Sequence, residues 1–166
     1  MKINFFETAC KEAAITESEF GICDDQNQAK AYTNTTNRKQ WIATVKNKKL
    51  IPVSFTAIDN CTVVYKKGTK DKESTCDGML SFTDSLYLVE LKDKGHSGWK
   101  AEAINQLENT IKLISENSNI DQFKYKKAYA CNKKFPVFRV IDAAEKKAFF
   151  HRTSGFRLDI QAEIVI

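Results

Sequence analysis

The chain contains no apolar run near the roughly 20 residues that a bilayer-spanning helix requires, which excludes a helical membrane protein within its 166 residues. Its opening, Met1-Lys2-Ile3-Asn4-Phe5-Phe6-Glu7, has one basic residue but neither an apolar core of signal-peptide length nor a small-residue cleavage site. A cytoplasmic protein is therefore expected. No C-x-x-C pair occurs among the five cysteines, an odd number, so neither a disulfide framework nor a zinc site is indicated. Cys61 and Cys76 can face each other across a hairpin, and in a reducing compartment they are expected as buried thiols. No Cys/His arrangement suggests a nucleophile, and the cysteines read as core residues. Histidine is scarce: His96 and His151 lie far apart. Gly95 and Gly98 lack the strand–glycine loop–helix context of a phosphate-binding motif. There is no internal repeat and no low-complexity tract.

What remains is an ordinary globular composition, 42% hydrophobic and 28% charged, in a chain long enough to bury one core. We expect a single domain over 1–166, with a helical and loop part at 1–48, a core at 50–131 and a basic part at 132–166. The net charge of +5 is unevenly placed: residues 121–166 hold 10 Lys and Arg against 5 Asp and Glu, while residues 1–120 hold 16 of each. Such a surface can neutralise phosphates. Lys124, Lys126, Lys133, Lys134 and Arg152 are the candidate nucleic-acid contacts, and a solvated lysine-rich face is the plain alternative.

In chain order, Phe5 to about Ala14 is expected as a helix, followed by a polar loop with a short strand around Ala29–Tyr32. Asn37 is placed to cap a helix over Arg38–Lys46. Val53–Ile58 alternates as a half-buried strand, Cys61–Tyr65 is a second strand, and the Asp77 and Glu90 segments are two more in an antiparallel meander. Trp99–Asn117 has the strongest helical pattern, with Ala103, Leu107, Ile111 and Ile114 on one stripe and Ser97 or Gly98 as cap. Lys127–Cys131 is expected as a strand parallel to the one before the helix. A short helix near Asp142–Phe149 and a final alternating strand over Arg157–Ile166 complete the chain.

The chemistry gathers at Asp77 and at Leu86-Tyr87-Leu88-Val89-Glu90-Leu91-Lys92. A continuous apolar run of this length suits a strand buried on both faces. Glu90 and Lys92 fall on one side of it, Leu91 on the other, and a hairpin returns Asp77 beside them. Asp77 with Glu90-Leu91-Lys92 resembles the motif of the PD-(D/E)XK nuclease superfamily. That resemblance covers about 50–131. It implies an α/β restriction-endonuclease-like fold, an αβββαβ core with a central mixed sheet flanked by helices. It further implies a metal-dependent phosphodiesterase in which Asp77, Glu90 and the Leu91 carbonyl hold Mg²⁺ or Mn²⁺. Lys92 then assists attack by water, and Gln106, on the following helix, supports the site. The implied partner is nucleic acid, DNA ahead of RNA, with a homodimer allowed and no membrane. An acid on the first helix, present in some relatives, is not selected among Glu7, Glu12, Glu17 and Glu19.

Two plainer readings stand beside this one. Glu90 and Lys92 alone make a strand-end salt bridge, worth about 0–1 kcal/mol if exposed. The same architecture also serves non-catalytic modules of inhibitor, immunity or assembly type, because fold does not dictate function. Trp99 reads as a core anchor or a base-stacking ring, and His96 as a loop residue or a site contact.

Overall fold

The computed structural model describes residues 2–137 and 140–166. Among them the order is β1 (Glu19–Cys23), β2 (Tyr32–Asn34), β3 (Ala43–Lys46), β4 (Ser54–Ala57), β5 (Gly78–Phe82), β6 (Ser85–Lys92), α1 (Trp99–Asn117), β7 (Tyr125–Asn132), α2 (Ala143–Arg152), β8 (Arg157–Ile160) and β9 (Glu163–Val165). The class is mixed α and β. Five strands form one sheet in the order β4-β5-β6-β7-β8, and four form a second in the order β2-β1-β3-β9.

In the larger sheet β4, β5 and β6 are antiparallel, whereas β6, β7 and β8 run parallel. A two-residue turn joins β5 to β6, and the longer segment 58–77 joins β4 to β5. The parallel pairs need crossovers, which α1 and α2 provide. All eight residues of β6 are buried, as an uninterrupted apolar run at the sheet centre demands. Leu86 and Leu88 join the core beneath α1, while Tyr87, Val89 and Leu91 join the core against the smaller sheet. Three layers result: helices, large sheet, small sheet. The α1 stripe of Ala103, Leu107, Ile111 and Ile114 is buried on the helix side, and each fully buried leucine or isoleucine there contributes about 1.5–3 kcal/mol.

Several expected elements fold differently, chiefly in the first 65 residues. Residues 2–48 contain no α-helix; they supply three strands of the small sheet. No helix forms over Phe5–Ala14. An isolated helix of that length is marginal in water, and the segment is claimed by other contacts. Phe5 is fully buried in the helix-side core, Asn4 accepts from the amides of Phe6 and Glu7, and Lys11 and Ile15 bridge to Thr56 and Val53 in and beside β4. The helix expected over Arg38–Lys46 shrinks to one 3₁₀ turn, Arg38–Gln40, before β3 takes over. Asn37 does cap that turn. The β-branched Thr44 and Val45 pair with Gly21 and Phe20 of β1, and sheet burial outweighs the apolar spacing that suggested a helix.

No strand forms over Cys61–Tyr65: the Cys61 and Thr62 amides turn back to the Ile58 carbonyl, Cys61 is bonded to Cys10, and Tyr65 makes a single bridge to Lys72. That disulfide corrects the expectation of five thiols; Cys23, Cys76 and Cys131 are free and buried. The final strand is two, β8 in the large sheet and β9 in the small one, so Gln161 and Ala162 carry the chain between layers. The expected αβββαβ order thus lacks its first helix. Both helices cover one face of the large sheet, and the small sheet covers the other. No helix among the described residues is long and apolar enough to cross a membrane.

Candidate functional site

The hairpin between β5 and β6 sets the site. Gly78 stands opposite Val89, so Asp77, one step before β5, returns to the level of Glu90. The close packing there requires glycine: a β-carbon on Gly78 would run into the Phe55 ring and the Thr56 carbonyl. Asp77 Oδ2 accepts the Leu91 amide at 2.7 Å, which fixes the carboxylate against the end of β6. Leu91 itself turns its side chain into the opposite core. Glu90 and Lys92 face α1 with Leu86 and Leu88.

The three charged groups are 8%, 2% and 7% exposed for Asp77, Glu90 and Lys92, far below what a strand-end surface pair would show. Lys92 Nζ lies 2.9 Å from Glu90 Oε1 and donates to Gln106 Oε1 at 2.6 Å. Gln106 Nε2 in turn donates to the Thr75 carbonyl at 3.3 Å. Glu90 Oε2 is buried and has no hydrogen-bond partner. An unsatisfied buried acceptor costs about 1–3 kcal/mol.

Burial, and after it the Glu90 charge, holds the Asp77 carboxyl well above the usual carboxylate range, although the Leu91 amide opposes this. Burial likewise pushes Glu90 up to about 7 against the pull of Lys92. Two acids that resist ionisation beside one another create a strong demand for positive charge.

The structure brings Asp77, Glu90, the Leu91 backbone, Lys92 and Gln106 together at the end of β6. Sequence reasoning misses the supporting groups. Thr110 Oγ1 accepts the Cys76 amide at 2.7 Å and donates to the Gln106 carbonyl at 2.7 Å, tying α1 to the strand entrance. Glu102, one turn before Gln106 on α1, lies 3.9 Å from Lys92 and 3.4 Å from Lys94; its i, i+4 spacing from Gln106 was the available signal. Asp59 donates its amide to the Cys76 carbonyl and is near enough for its charge to raise both Asp77 and Glu90. Asn132, level with Lys92, clasps the following loop through the Lys94 and Lys134 amides and the Lys94 carbonyl. His96 is 4.0 Å from Glu102, and Trp99 is a buried anchor stacked near Phe135.

The five basic candidates do not form one surface. Lys133 and Lys134 follow β7 at the site end of the sheet, where the Lys133 amide donates to the Lys92 carbonyl. The Lys133 ammonium donates to the Lys39 carbonyl. Lys124 and Lys126 lie at the other end; Lys126 is six residues from Asn132, about 20 Å along a strand. Lys126 donates to the Ser154 carbonyl, and Arg152 pairs with Glu108 of α1. A groove of about 630 Å³ lined by Trp41, Thr44, Lys46, Lys133 and Glu163 opens on the small-sheet side and does not include Asp77, Glu90 or Lys92.

Among the described residues no three His, Cys, Asp or Glu side chains gather as a metal-ligand set. The residues present nevertheless suit Mg²⁺, which relies on one or two carboxylates with water and substrate oxygens. Asp77 and Glu90 are such a pair in residue type, and Glu90 Oε2 has no hydrogen-bond partner that would compete with a cation. Comparison with protein-family models, with curated proteins and with solved structures finds no match to the chain.

Proposed function

We propose that the protein is a metal-dependent phosphodiesterase acting on nucleic acid, DNA ahead of RNA, with a restriction-endonuclease-like core. The observation that carries this reading is the buried, unpartnered Glu90 Oε2 beside Asp77 and the Lys92–Gln106 pair. Asp77 and Glu90 are the residues that would hold Mg²⁺ or Mn²⁺, whose chemistry there is to acidify water and draw charge from the phosphate. Lys92 offers a fixed cation to the charge that develops on the phosphate oxygens. Gln106, itself held by the Thr75 carbonyl, shares the Lys92 ammonium with Glu90 and so fixes its position. Water oxygen bonds to phosphorus, the P–O ester bond breaks, and the leaving oxygen takes up a proton.

A second reading, a binding module of inhibitor, immunity or assembly type on the same scaffold, draws support from the absence of a three-residue metal-ligand set among the described residues. Incubation of plasmid, single-stranded DNA and RNA with Mg²⁺ or Mn²⁺ separates the two. The phosphodiesterase reading expects metal-dependent cleavage by the wild type that disappears in Glu90→Ala and Lys92→Ala variants whose circular dichroism is unchanged. No cleavage of any substrate, together with no metal heat in calorimetry, selects the binding module.

A further inference from the structure

At the far end of the large sheet from Asp77, exposed aromatic rings alternate with cations. Tyr125 opens β7 and is 51% exposed, with Lys124 Nζ 5.3 Å from its ring centre. Phe150, on α2, is 41% exposed and lines a shallow cleft of about 300 Å³ with Lys146, Lys147 and Arg157. Gly155 joins the two rings. Its amide donates to the Phe150 carbonyl, and continuing the β7–β8 register, Lys127 opposite Arg157, sets it level with Tyr125. At φ +94° it has no side chain to cover the Phe150 edge or the Lys126 ammonium.

Few carboxylates compete here. Asp159 stands 3.8 Å from Lys146 and Asp121 3.8 Å from Lys126. Lys124, Lys147 and Arg157 have no carboxylate within 4 Å among the described residues. This strip also accounts for much of the surplus positive charge of residues 121–166.

We propose that Lys124, Tyr125, Lys147, Phe150 and Arg157 form a binding strip for single-stranded nucleic acid, with bases on the two rings and phosphates on the cations. The choice of ligand rests on the nucleic-acid reading given above; the surface itself is separate from the acid cluster. Exposed rings flanked by unpaired cations suit unstacked bases, which a duplex keeps covered. Two separate rings do not make the continuous apolar face that an interfacial membrane helix presents. Arg157 lies three residues before Ile160, which is level with Glu90 two strands away. Each offset is about 10 Å, a separation that a few nucleotides bridge.

The test is fluorescence anisotropy of a fluorescein-labelled oligothymidylate in EDTA, where no metal-dependent cleavage intervenes. Phe150→Ala is expected to weaken binding about tenfold. Lys147→Ala/Arg157→Ala should do at least as much and lower the salt slope by about 1.4. The charge-matched control Lys48→Ala/Lys49→Ala should leave affinity within about twofold of wild type, because phosphate contacts are local. These side chains are exposed, and unchanged melting temperatures keep the comparison clean. Equal losses in the control, equal affinity in all variants, tighter binding of duplex, or binding to phosphatidylserine vesicles in place of the oligomer would each overturn the proposal. Patch-dependent binding by a protein that cleaves nothing keeps this inference and removes the phosphodiesterase reading. Cleavage with unaltered affinity in the patch variants does the reverse.

Discussion

The two ends of the large sheet use the same residue types in opposite ways. At the end of β6, Lys92 is buried and held by Glu90 and Gln106, and the neighbouring acids are pushed toward their neutral forms. At the start of β7 and β8, Lys124, Lys147 and Arg157 lie beside solvent-facing rings with no carboxylate within 4 Å among the described residues. A lysine in the first setting is fixed in place and strongly coupled to its neighbours. One in the second is mobile and screened by salt within about 8–10 Å. Charge of the first kind suits chemistry on a phosphate; charge of the second suits holding a chain of them.

The most drastic way to break this contrast is to neutralise the buried end. Glu90→Gln keeps the volume and is expected to lower metal-dependent cleavage by about 10²–10³-fold, read by plasmid nicking, since one preorganised electrostatic group is lost. Next in size, Lys92→Ala leaves Glu90 without its cation and is expected to destabilise the fold by about 3–5 kcal/mol, measured by urea unfolding. Stability equal to wild type would show that Glu90 is already neutral in the folded protein.

The loop bearing Asp59 is fastened beside the acids by the Cys10–Cys61 bridge, which closes 51 residues of chain. Its reduction should cost about 2–4 kcal/mol, seen as a lower urea midpoint with reductant. The acid end should also imprint a pH dependence. With divalent cations chelated, Glu90 and Asp77 bind protons more tightly folded than unfolded. Their contribution is fully present below the unfolded carboxylate range and is lost as pH rises through about 7 for Glu90. Stability should therefore decline from pH 5 to pH 8, and Glu90→Gln should flatten that decline. Smallest of all is Arg152→Ala. It breaks an exposed pair with Glu108 and should change stability by at most about 1 kcal/mol.

In the C-terminal two thirds most elements were legible because their signals were strong and local, although the final strand divides between the two sheets. Helix α1 spans Trp99–Asn117 as its apolar stripe requires, and β6 follows from one unbroken apolar run. The acid cluster was legible too, since alternation along β6 and a hairpin return suffice to bring Asp77, Glu90 and Lys92 together. Most of the first 65 residues were not, although the strand expected over Val53–Ile58 forms as β4. Their apolar spacing is compatible with short helices, and pairing with distant strands decides otherwise: Lys11 bridges Thr56, Val45 lies between Phe20 and Ile164, and Cys10 bonds Cys61.

By itself, then, the sequence determined the elements whose periodicity is long and clean, and the residue types gathered at one strand end. Tertiary structure alone decided which lysines are buried, which are held by carbonyls and carboxylates, and which stay free. It also built the second sheet and left one oxygen of Glu90 without a partner. The physical reason is that periodicity reports which face of an element is apolar, whereas burial of a charge depends on what packs over it from elsewhere in the chain.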